Sequence, residues 1–219
     1  MVRKTTAILM LVILLVMLPV ALWGAVTKTT SINGIDAWQA VAGGAMAVGA
    51  AEDVSTSYET LVFIEVALTD TDAQAGCTII VEGSYAANDW ITLTTFNGTA
   101  ETPATTTLND ADAAATDTTI TLTDATTGDF DVPSRKWFIV DGTVANSESV
   151  RTVSNSTHTV TLAQDLMRTH ANGLAVWDRV DDWAVVIPPA IAYVRVLVNN
   201  TDADAQVHFR SFCSIVTGI

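Results

Sequence analysis

The sequence predicts an all-β protein: an antiparallel, jelly-roll-like β-sandwich with a small β-barrel or roll inserted into it and an apolar helix at its N-terminus. Three observations carry this. Thr, Ala, Val and Asp dominate the 219 residues; Thr and Val favour strands, while Asp, Asn and Gly favour the turns between them. Residues 76–93 (GCTIIVEGSYAANDWITL) read as a hairpin with an Asn/Asp-rich turn. The order strand, T-D-x-D-A-Q, strand occurs twice, with TDTDAQ at residues 69–74 and TDADAQ at residues 201–206.

Taken from the N-terminus, Arg3 and Lys4 precede an uncharged run, residues 7–26, interrupted only by Pro19. A basic start, an apolar core and a Pro-led end are the pattern of a secretory signal. Cleavage after Ala25 puts Trp23 where a small residue is preferred. At about 20 residues the run is also long enough to cross a bilayer as a helix. Three readings of segment 1–27 therefore stand: a cleaved signal, a retained anchor touching the membrane through residues 7–26, or an apolar helix buried in an assembly.

Residues 28–34 are a polar exit and residues 35–41 (IDAWQAV) a first strand. Residues 43–51 are Gly/Ala-rich and fit either a loose strand or a short helix. Residues 61–68 (LVFIEVAL) are a strand with Ile64, Val66 and Leu68 on one face. In the hairpin that follows, Cys77, Ile79 and Val81 share a face, the period of two expected of a half-buried strand. Trp90 opens the return strand, with Trp90, Thr92 and Thr94 alternating against Ile91, Leu93 and Thr95, and is placed to cap one end of a core. Near the C-terminus, Val194, Val196 and Val198 form one inner face, with Val207, Phe209 and Cys213 on its partner. The sandwich is thus expected from residues 28–101 and 183–219, with residues 102–182 inserted. Within the insert, residues 102–118 read as a Thr/Ala/Asp-rich linker or loop. Short strands are expected at residues 119–123, 136–140, 148–153, 158–162 and 174–177, a spacing that suits a small barrel or roll. Pro188 and Pro189 keep the returning strand at a sheet edge.

Charge and motif content narrow the function. The formal net charge of −14 opposes nucleic acid, which needs Lys and Arg opposite its phosphates. Two cysteines, Cys77 and Cys213, and no CxxC leave no zinc set; both fall on core faces, so either a disulfide or two buried free thiols fits. The turn residues Asp70, Asp72, Asp202 and Asp204 are the candidate oxygen ligands for calcium, although two carboxylates per turn are few and no EF-hand pattern is present. No other cofactor is expected. His158 and His208 sit on alternating strands and are expected to face solvent, and His170 sits in a turn where a ring nitrogen can satisfy the backbone. No GxSxG, HExxH or P-loop occurs, so no enzyme is expected. Trp38, Trp90, Trp137, Trp177 and Trp183 would form a sugar platform if exposed, but their flanks are core-like.

The stretch VEGS, a short polar turn and W-x-x-L at residues 81–93, followed by YVRVLV, an acidic turn and an alternating strand at residues 193–209, resembles the β-sandwich domains of tailed-phage virion proteins of the capsid-decoration, head-fibre and tail-associated type. Their turn carries Asp-Gly before the Trp; here it is Ala87-Asn88-Asp89. The insert resembles a second recurring phage module at Gly128, Phe130, residues 138–141, Glu148, Val150, Val153, residues 159–162, Leu166, His170, Gly173 and Val176. The resemblance implies a non-enzymatic virion structural protein, displayed at the virion surface and partnered by copies of itself and other virion proteins. The alternatives are an exported bacterial or archaeal cell-surface, filament or matrix protein, and a carbohydrate-binding module whose partner is a glycan.

Overall fold

The computed structural model describes residues 27–29, 35–70, 76–124, 130 and 135–217. The expected apolar helix within residues 1–26 lies outside them, as does Asp72. The chain is all-β, its sheets are antiparallel, and the described residues hold no α-helix.

Two sheets share one core. In the first, the C-terminal strand β18 (Val207–Thr217) pairs along its length with β5 (Ser57–Leu68). The short β1 (Thr27–Thr29) and β2 (Ile35–Val41) succeed each other along its other side. Beyond β5 lies β16 (Val180–Ile187), the edge strand that ends at Pro188 as expected. In the second sheet, β17 (Tyr193–Asn200) pairs with β6 (Cys77–Ser84), and β6 with β7 (Trp90–Asn97). β3 (Met46–Val48) and β4 (Glu52–Asp53) share the other side of β17. The Gly/Ala-rich stretch is therefore short strand rather than helix.

The alternation read from sequence sets the core. Val62, Ile64, Val66 and Leu68 of β5 meet Cys77, Ile79 and Val81 of β6, Val194, Val196 and Val198 of β17, and Val207, Phe209 and Cys213 of β18 in one buried cluster. Burying a side chain of this size contributes about 1.5–3 kcal/mol. β7 departs from strict alternation. A bulge opposite Val81 and Glu82 inserts one residue, so Leu93 and Phe96, three apart, both reach the core; a bulge shifts the face of every residue beyond it. Trp90 consequently does not cap the core. It lies half-buried on the outer face with the Arg195 guanidinium 4.1 Å above its ring.

Between β7 and β16 the chain builds a third sheet. Its order is β10 (Thr119–Thr121), β13 (Thr159–Leu162), β12 (Glu148–Ser156), β11 (Lys136–Ile139), β15 (Ala175–Trp177) and β8 (Thr105–Thr107). Its two ends meet: Leu108 bridges Leu122, and Asn109 and Thr123 donate to the carbonyls of Thr121 and Thr107 at 2.9 Å each. The sheet curls around its own core of Leu108, Ile120, Leu122, Trp137, Val160 and Val176, among others. Residues 102–118, expected as a linker, instead supply β8, which completes this ring, and β9 (Asp112–Ala113), which pairs with β14 (His170–Ala171).

Candidate functional site

The described structure is most chemically organised where the curled sheet sits on the outer face of the first sheet. β11 has both faces buried. Trp137 and Ile139 point into the curled core, whereas Phe138 joins Trp38, Ala67 and Val180 in a separate apolar cluster. The Phe138 ring lies 4.4 Å from Trp38 and 5.3 Å from the His208 ring. One row along the sheet, apolar contact gives way to charge. Glu65 accepts from Lys136 Nζ at 2.6 Å and from the Arg210 guanidinium. Ser149 Oγ lies 3.2 and 3.3 Å from its two carboxylate oxygens and accepts from Arg210 Nη2 at 3.0 Å. Burial alone would raise the Glu65 carboxyl; the charge of Arg210, then the hydrogen bond and charge of Lys136, override it and hold the group below its ordinary value.

A cavity of about 260 Å3 opens beside this network, between the rim of β11 and β12 and the edge strand β16. Arg135, Lys136, Arg151 and Arg179 line it together with Asp178 and Asp182. Asp182 Oδ2 takes a second hydrogen bond from Lys136 Nζ at 3.0 Å. Arg179 is held by Asp181, Glu101 and Thr99 at 3.0, 3.0 and 2.8 Å, and Asp178 accepts from the Ala104 amide at 2.9 Å. Sequence reading did not single out any of these residues; they are gathered only by the packing of one sheet against the other.

The residues that sequence reading did single out lie elsewhere. Asp202 is buried, and its Oδ1 accepts from the amides of Asp204 and Ala205 at 2.9 Å each; it shapes the β17–β18 turn. Asp70 stands in the other acidic turn. No three His, Cys, Asp or Glu side chains are grouped as a metal set among the described residues. Cys77 and Cys213 are both buried free thiols, so the disulfide that the sequence allowed is not formed. Cys77 sits opposite Asn200, beside the β17–β18 turn, whereas Cys213 lies six residues past the start of β18. At the rise of a strand that is roughly 20 Å, far beyond the reach of a disulfide. Burial raises both thiols, to about 11 for Cys77 and about 12 for Cys213.

His158 is exposed as expected, but His208 is not: it is buried, with Nδ1 2.8 Å from Thr69 Oγ1. Alternation placed it correctly on the outer face of its sheet, and the curled sheet covers that face. His170 is fully buried and meets carboxylates rather than a backbone group: Nε2 lies 3.2 Å from Glu148 and Nδ1 3.6 Å from Asp141. Of the tryptophans, Trp38 and Trp137 are buried. Trp90, Trp177 and Trp183 are half-buried, Trp183 against Phe96 with ring centroids 5.6 Å apart. They do not form a common exposed platform.

No protein-family model matches the chain, and no curated protein sequence does. Solved structures with partial similarity include the Gp54 tailspike of an Acinetobacter baumannii bacteriophage, at 16% identity and a TM-score of 0.28, covering 36% of this chain and 15% of that one. They include the cleaved adhesin domain of Lys-gingipain from Porphyromonas gingivalis, at 11% identity and a TM-score of 0.35, covering 90% and 99%. They also include the VP2 subviral particle of infectious bursal disease virus, at 11% identity and a TM-score of 0.23, covering 88% and 82%. The chain thus spans only 15% of the tailspike's length. Likeness at these scores assigns the chain to no family.

Proposed function

We propose that the chain is a non-enzymatic structural subunit of a virion, a capsid-decoration, fibre or tail-associated protein that works by multivalent packing at the virion surface. The observation that carries this reading is the strand order. With β1 and β2 counted as one strand and β3 and β4 as another, the first sheet runs β1/β2, β18, β5, β16 and the second β3/β4, β17, β6, β7, and the chain crosses between sheets at every connection except β6 to β7, the crossing from β7 to β16 passing through the inserted sheet. That order is the double Greek key of an eight-stranded jelly roll, an architecture used by viral capsid proteins and also by lectins and cupins. In this reading, residues 28–101 and 183–219 are the jelly roll and residues 102–182 a barrel grafted into it.

The surface supports a packing role. The part of the first sheet's outer face left uncovered carries stacked Phe63 and Phe212, 5.0 Å apart, beside exposed Val186. At the far edge of the second sheet, Met46 and Val48 are more than half exposed. Apolar side chains in rows, on a chain of net charge −14, suit interfaces between subunits with acidic surfaces left in water. Specific interfaces need roughly 1,000 Å2 or more. Light scattering on the purified full chain is expected to give a symmetric oligomer or binding to particles; a chain that stays monomeric and binds none counts against the proposal. The basic start and apolar run at residues 3–26 support a second reading, an exported cell-surface or filament protein, for which the mature N-terminus would fall near residue 26.

A further inference from the structure

We infer that the cavity beside Lys136 is a binding site for a sugar acid, taking its carboxylate on the basic side chains, Arg151 foremost, and its hydroxyls on Asp182. The assignment stands independently of the virion reading. The first argument is concentration. The sequence has ten Lys and Arg residues against twenty-four Asp and Glu, yet Arg135, Lys136, Arg151 and Arg179 line this one cavity. The second is a cost left standing in the fold. Lys136 and Arg151 are direct cross-strand partners on β11 and β12, and like charges in that position repel. Lys136 is answered by Glu65 and Asp182. Arg151 is exposed and has no side-chain partner among the described residues. A carboxylate bound there would meet a planar guanidinium able to hold it in two parallel hydrogen bonds.

The lining also indicates what else the ligand carries. Asp178 and Asp182 face the same space and would repel a second negative charge, while Asp182, its side chain half exposed, has oxygens suited to accept from hydroxyl groups. A ligand with one carboxylate and several hydroxyls fits both halves of the lining. A polyanion does not, because the chain's net charge of −14 repels it at longer range. The same repulsion disfavours an acidic segment of a second copy. The volume of about 260 Å3 is enough for one such sugar unit.

The test is a calorimetric titration of the full chain with glucuronate at low salt, with glucose, sulfate and a short poly-glutamate peptide as comparators. Glucuronate should bind with a Kd of about 1 mM and glucose should not. Arg151→Ala should weaken glucuronate about tenfold or more, the loss expected for a hydrogen bond to a charged group, while its melting temperature stays the same or rises slightly as the like-charge pair is relieved. Arg195→Ala, on the outer face of the second sheet, should leave binding as it is. No saturable binding of glucuronate overturns the assignment, and so does binding that Arg151→Ala leaves intact. Sulfate binding as tightly as glucuronate would reduce the cavity to a plain anion site, and tighter binding of the peptide would make the partner a protein; either result overturns the sugar-acid assignment.

Discussion

Lys136 Nζ lies 2.6 Å from Glu65 Oε1, joining two strands 71 residues apart in sequence, one from each of the packed sheets. Glu65 is nearly buried and also holds Arg210 and Ser149. Its carboxylate is the polar half of a joint whose apolar half is Phe138 against Trp38. Glu65→Ala should therefore leave two cations facing a desolvated hole. The expected loss is about 3–5 kcal/mol, as for other buried pairs deprived of one partner, and Phe138→Ala should cost about as much by cavity formation. Urea denaturation of each variant checks this; a loss below about 1 kcal/mol in either would mean the joint is not a structural unit.

The same joint makes stability fall with acid. Burial pushes His208 down to about 4 from 6.5, so the unfolded chain binds its proton first. The stabilising contribution is complete above pH 6.5 and is lost as pH falls from there through about 4, in all about 3 kcal/mol. Glu65 is lowered from 4.5, so its contribution is present above that value and is lost as pH drops through its folded pKa. The two windows overlap only between pH 4.5 and about 4. His208→Gln should flatten the slope between pH 6.5 and 4.5 and leave the loss below 4 in place. Thermal melts across pH 3–8 measure both; a slope unchanged by His208→Gln assigns it to other groups.

The β6–β7 turn stores a small strain. Asn and Asp tolerate the left-handed conformation best in such a turn, yet it is Ala87 that has φ 60°. A Cβ in that region costs roughly 1–2 kcal/mol. Ala87→Gly should raise stability, by up to about 1 kcal/mol once the greater freedom of glycine in the unfolded chain is subtracted. Equilibrium unfolding of the variant decides it, and a destabilised Ala87→Gly would show that the turn is held by contacts of the methyl group.

Asp202 separates a turn-shaping role from a calcium role. With Oδ1 accepting two amides, Asp202→Asn keeps an acceptor and should be nearly neutral. Asp202→Ala orphans both amides and should cost about 1–3 kcal/mol. Calcium should leave the melting temperature of the unaltered chain where it is. A rise with calcium, abolished equally by both substitutions, would restore Asp202 as a ligand.

Much of the scaffold was legible because strands advertise themselves by period. Cys77, Ile79 and Val81, and Val194, Val196 and Val198, are buried as their alternation required. What escaped has physical causes. The bulge at Leu93 leaves no mark in composition. β8 is Thr105-Thr106-Thr107, with no apolar alternation to betray it. His208, Glu65 and Arg210 occupy the outer face of their sheet, where solvent is the default expectation, and only the docking of another sheet buries them. The cavity was least legible of all: Arg135, Arg151 and Arg179 are far apart in sequence, and each alone reads as an ordinary surface charge.

Quantitative mass spectrometry of density-purified particles from the native source, beside cell-envelope and medium fractions, decides whether the chain is a virion subunit. Peptides of the chain are expected in the particle fraction at many copies per particle. Recovery only from the envelope or the medium, with an N-terminus near residue 26, would contradict this expectation and make the chain an exported surface protein.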